Sequence, residues 1–129
     1  MRTAVLRSAA VGVGAIGLAY LAVPSRVLAV YGVTLRSVTE LAIIRSAYGG
    51  LLVAFAVLFE LGARRAEHAR AALAALAVFM GGFALGRVVS LAVDGVPHPL
   101  LVAILFVEVA YAGAAARLLA RELTPAARG

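Results

Sequence analysis

Cysteine is absent from this 129-residue chain, lysine is absent too, and charged residues of either sign make up only 14% of it. The missing cysteine excludes disulfides, thiolate metal sites and cysteine nucleophiles, and leaves the redox compartment open. The missing lysine makes arginine the whole basic side of a net charge of +6. So little charge excludes an ordinary soluble domain, in which about a quarter of residues are charged. The two histidines, His68 and His98, are separated by a long apolar segment that puts them on opposite sides of a membrane. No two-histidine metal site can form, and neither a metal nor another cofactor is expected. No Ser-His-Asp set, phosphate loop or paired-carboxylate site is present, so the chain is not expected to be an enzyme.

What the chain has in abundance is apolar surface. At 64% hydrophobic residues and a mean hydropathy of +1.06, it reads as a single all-α integral membrane domain. A sequence pI of about 11.1 would point to nucleic acid in a soluble protein. Here the arginines flank apolar runs, and no basic face with interleaved aromatics occurs. They read as topology signals and contacts to anionic membrane lipids, with no nucleic-acid partner.

Four apolar runs predict four transmembrane helices in an antiparallel bundle, over about residues 4–23, 38–61, 70–93 and 99–121. The first run follows Arg2 and Arg7 and ends at Pro24, which also resembles a signal peptide. No convincing small-x-small cleavage site precedes Pro24, and Gly12, Gly14 and Gly17 suit close helix packing, so it is read as a retained helix. Residues 24–37 form an amphipathic connector with Arg26, Arg36 and an interfacial Tyr31. Ser37 and Glu40 then form a capping box that starts the second span. Residues 62–70 are an arginine-dense turn. Asp94-Gly95 with Pro97 and Pro99 ends the third span, since glycine admits the left-handed C-terminal residue and proline cannot continue the helix. No repeat of 20–50 residues occurs.

Orientation follows from the arginines. Arg2, Arg7, Arg64, Arg65, Arg70, Arg117, Arg121 and Arg128 belong to one side, against Arg26 and Arg36 on the other. The positive-inside rule makes both termini cytoplasmic in a multi-pass plasma-membrane protein, with the 94–99 turn outside.

The two arginines left over, Arg45 and Arg87, lie within spans. A guanidinium at bilayer depth costs at least ~2.5–3.5 kcal/mol, so it faces a partner or a wet cavity. Each sits seven residues from the outer end of its helix and Glu108 nine from the start of its own, so at ~1.5 Å per residue the three share nearly one depth. Helical spacing puts Phe83, Arg87, Ser90 and Asp94 on one stripe, and Ile104, Glu108, Tyr111 and Ala115 on another. These spacings predict Glu108 between the two guanidiniums, with Tyr48, Ser90 and Tyr111 as secondary partners. One carboxylate cannot balance two arginines, so Asp94 or a bound anion completes the set. A register-fixing ion pair needs no ligand and accounts for the same residues.

Gly49-Gly50 and Gly82-Phe-Ala-Leu-Gly86 suit close helix contact, the latter within the bundle or between copies in a homo-oligomer. Arg45-Ser-Ala-Tyr48-Gly49-Gly50, Gly62-x-Arg64-Arg65, Gly82-x-x-x-Gly86-Arg87-x-x-Ser90 with Asp94-Gly95-x-Pro97, and Glu108 in the last span together resemble small bacterial four-helix membrane proteins of domain of unknown function 4345. That resemblance implies the four-span layout and stresses the same residues without implying an activity. The leading expectation is a non-enzymatic membrane protein whose outer Arg/Glu cluster is structural and binds an anionic lipid headgroup or small anion. The alternatives are a homo-oligomeric proton-coupled transporter using Glu108, and a membrane enzyme acting on lipid or quinone.

Overall fold

In the computed structural model, which describes residues 1–123, Ser37 starts the second span as its side chain predicts. Its Oγ accepts from the Glu40 amide at 3.1 Å, and the Glu40 carboxylate accepts from the Ser37 amide at 3.0 Å. The elements are α1 (Arg2–Ala22), α2 (Pro24–Ala29), α3 (Val38–Ile44), a π-helical turn (Arg45–Gly50), α4 (Leu51–Arg64), α5 (Ala66–Val93) and α6 (Pro99–Leu123). With α3, the π turn and α4 forming one rod, four helices are long and apolar enough to cross a membrane. Arg128, counted above on the inner side, lies outside the described residues. Gly95 takes the expected left-handed conformation at φ 96°, which ends α5 and lets Pro99 open α6.

Two local features differ from the sequence reading. Residues 62–70 are helical apart from Arg65, which alone separates α4 from α5. Gly62 makes this hairpin possible, because a Cβ there would collide with the Cβ of Ala72. The second span is also not a uniform α-helix, since Arg45–Gly50 winds as a π turn. Its wider i→i+5 bonding shifts the phase between the residues before it and those after it.

The helices pack in the order α1, α4, α5, α6, each antiparallel to the one before it. Leu6, Phe59, Leu73 and Leu76 are fully buried between α1, α4 and α5. Gly14 and Gly17 let α1 approach α4, for a Cβ at Gly17 would stand 3.0 Å from the Leu52 Cβ. Phe55, Phe59, Phe79 and Phe83 stack along the α4–α5 seam with ring centroids 4.4–6.0 Å apart. The fourth edge, between α6 and α1, is closed only at the end where α1 begins and α6 finishes, the inner end of the expected orientation. There Arg2 meets Glu122 at 3.0 Å, and the Tyr111 hydroxyl donates to Ser8 Oγ at 3.0 Å.

Candidate functional site

Toward the outer end the α1–α6 edge opens into a cleft of about 840 Å³. Its walls are mostly apolar, from Val13 and Ile16 of α1, Phe79 and Phe83 of α5, and Leu101 and Ile104 of α6. The connector after α2 reaches over it. Tyr31 lines the cleft and meets the His98 ring edge-on at 6.0 Å, joining that connector to the α5–α6 turn.

Arg87 and Glu108 sit in this wall. The Arg87 Nε lies 3.0 and 2.8 Å from the two Glu108 oxygens, and Glu108 is only 6% exposed. Helical rise predicted this pair, because matched depth on adjacent antiparallel helices brings the two side chains together. The bond engages one edge of the guanidinium only. The terminal Nη1 and Nη2 groups have no hydrogen-bond partner among the described residues.

Arg45 does not join them. Its Nε donates to the Leu21 carbonyl at 3.1 Å, one of the carbonyls that the end of α1 leaves without an intrahelical partner. The cation also lies where the α1 dipole is negative. The expected placement of Glu108 between two guanidiniums is therefore corrected. Depth alone does not choose neighbours, and the rod carrying Arg45 packs on α1 and α5 rather than on α6. Gly49 completes the clasp, its Cα so close to α1 that a Cβ would stand 2.7 Å from a Leu21 methyl. Arg45 and Gly49 thus grip the last turn of α1 from successive turns of one helix.

The other expected partners disperse. Ser90 lines the cleft, but its hydroxyl donates to Asp94 at 2.8 Å. Asp94 is exposed and reaches neither arginine. Tyr111 faces Ser8 at the inner end instead of Glu108. Tyr48 does line the cleft, its ring 5.5 Å from that of Tyr20. Gly50 makes no interhelical approach, and Cβ atoms at Gly12, Gly82 and Gly86 would meet nothing within 4 Å. Gly82 and Gly86 are not a packing face within the bundle. They border the cleft, where the missing side chains widen it.

Tyr20 was overlooked in the sequence, where it reads as one more apolar residue of the first span. It is 7% exposed and lines the cleft. The available signal was a hydroxyl near the outer end of α1, at the level of Arg45. Among the described residues no group of three or more His, Cys, Asp or Glu side chains could hold a metal.

A family model described as a domain of unknown function, DUF4345, matches residues 1–119. No curated protein and no solved structure matches the chain.

Proposed function

The chain belongs to the DUF4345 family, whose description assigns no activity, and from that premise we propose that it is a non-enzymatic membrane protein that binds a lipid-like amphiphile in the outer cleft. One observation carries this reading: a cleft of about 840 Å³ with apolar walls holds a buried carboxylate paired with a half-buried guanidinium whose terminal nitrogens are unspent. Ligand sites combine that size and apolarity with a few convergent polar groups. The apolar walls suit a hydrocarbon tail, and Arg87 suits a polar head. The pair also fixes the register of α5 against α6, so the structural role is part of the same reading. An anionic headgroup or small anion was expected because two guanidiniums were to share one carboxylate. With Arg45 on Leu21 the second cation stands outside the cleft lining, and hydrogen-bond donors rather than net charge support head recognition.

Native mass spectrometry of the protein extracted in mild detergent tests this. An amphiphile-sized adduct is expected on the wild type. Gly86→Leu, which fills the cleft from a position where a Cβ meets nothing within 4 Å, is expected to lose it. An adduct retained in that variant would place the ligand elsewhere.

The arginine distribution supports a plasma-membrane location with both termini cytoplasmic. Single cysteines introduced at Ala66 and Val96 check it in this cysteine-free chain. Impermeant reagent outside the cell is expected to label position 96 and spare 66, and the reverse pattern would invert the topology.

A further inference from the structure

Three tyrosines, Tyr20, Tyr31 and Tyr48, line the cleft together with Arg87, and the rings of Tyr20 and Tyr48 lie 5.5 Å apart. None of their hydroxyls has a hydrogen-bond partner among the described residues. Tyr20 is more than nine-tenths buried, yet no fully enclosed side-chain nitrogen or oxygen among the described residues lacks a partner, so its hydroxyl opens onto accessible space. The Arg87 Nη groups add four N–H donors and no acceptor. By contrast, both Glu108 oxygens accept from Arg87, and the Ser90 hydroxyl is given to Asp94. The cleft therefore offers several unspent donors, while its one carboxylate is already paired with Arg87.

Charge and shape narrow the head further. Arg87 and Glu108 sum to zero, so an anion entering the cleft would bring a charge that nothing there neutralises, at a cost of several kcal/mol for an uncompensated buried ion. A neutral acceptor carries no such penalty. Of the nine aromatic residues in the chain, five line the cleft: Tyr20, Tyr31, Tyr48, Phe79 and Phe83. Flat rings at that density favour a flat partner, through offset or edge-to-face contacts.

We infer that the ligand of this cleft is a neutral amphiphile with a planar, carbonyl-bearing ring as its head and an apolar tail, the chemistry of a quinone lipid, with Arg87, Tyr20, Tyr31 and Tyr48 donating to its carbonyl oxygens. This rests on the amphiphile-binding reading above and adds the class of head.

Fluorescence tests it directly, since the chain has four tyrosines and no tryptophan and three of the four tyrosines line the cleft. The lipid-stripped protein in detergent is titrated with decylubiquinone, dioctanoylglycerol and dioctanoyl phosphatidic acid, following tyrosine emission and melting temperature. Decylubiquinone is expected to quench most of the emission saturably and to raise the melting temperature above the other two, with both effects lost in Gly86→Leu. Tyr31→Phe and Tyr48→Phe keep their rings, so they are expected to melt as the wild type does without ligand. Each should weaken decylubiquinone binding roughly three- to tenfold, the worth of one neutral hydrogen bond. A larger stabilisation by phosphatidic acid, or an equal one by dioctanoylglycerol, would overturn the ring-carbonyl head and leave amphiphile binding standing. No shift with any of the three probes, relative to Gly86→Leu, would overturn both.

Discussion

The inner and outer halves of this bundle are built differently. At the inner end the edges are closed: Arg2 pairs with Glu122 across α1 and α6, Arg7 with Glu60 across α1 and α4 at 3.7 Å, and α4 turns into α5 over the glycine-to-alanine contact of Gly62 and Ala72. Leu6, Phe59, Leu73 and Leu76 fill the centre. At the outer end one edge stays open, and half-buried Arg87 faces buried Glu108 in the wall of a cleft. Such a division separates the residues that close the bundle from those that line the cleft. The two sets are expected to respond differently to substitution.

The largest effect is expected from Glu108→Gln, which strands the Arg87 guanidinium at bilayer depth. Breaking a buried pair costs ~3–5 kcal/mol, to be read as a large drop in melting temperature in detergent. Next comes Gly62→Ala at the inner hairpin, where the new methyl meets Ala72. Overpacking of this kind costs ~1–3 kcal/mol, and the loss should appear in melting without any change in ligand affinity. Arg45→Leu removes the bond to the Leu21 carbonyl and is expected to cost about 1 kcal/mol, seen as faster hydrogen exchange in the last turn of α1. The smallest effect belongs to Glu60→Gln. Its partners Arg7 and Arg64 are more than half exposed, and exposed pairs are worth ~0–1 kcal/mol. Equal losses for the Glu108 and Glu60 variants would erase the contrast between the two halves.

The sequence carried the fold wherever the signal was local or periodic. The Ser37–Glu40 box, the Gly95 stop and the four apolar runs need only neighbouring residues or a helical repeat, and the structure contains them all. The Arg87–Glu108 pair was legible for a related reason: a fixed rise per residue converts sequence distance from a helix end into depth. Depth does not say which helices are neighbours, and on that point Arg45 was misplaced. The π turn has no periodic signature that the hydrophobic pattern reveals, and Gly62 looked like one more turn residue until Ala72 was seen against it. The cleft was hidden for the opposite reason. It arises from contacts that α1 and α6 do not make, and Gly82 and Gly86 in a helix resemble a packing motif whether a partner helix or open space lies beside them.

Whether the Arg87–Glu108 pair serves only the fold or also a ligand is decided by removing both charges at once. In the Arg87→Gln, Glu108→Gln double variant neither residue strands the other, so it is expected to regain most of the stability that Glu108→Gln alone loses. The direct measurement is native mass spectrometry of that double variant beside the wild type. The expected result is a folded protein without the amphiphile adduct. A folded double variant that carries the adduct at wild-type occupancy would contradict a binding role for Arg87 and leave the pair as a clamp between α5 and α6.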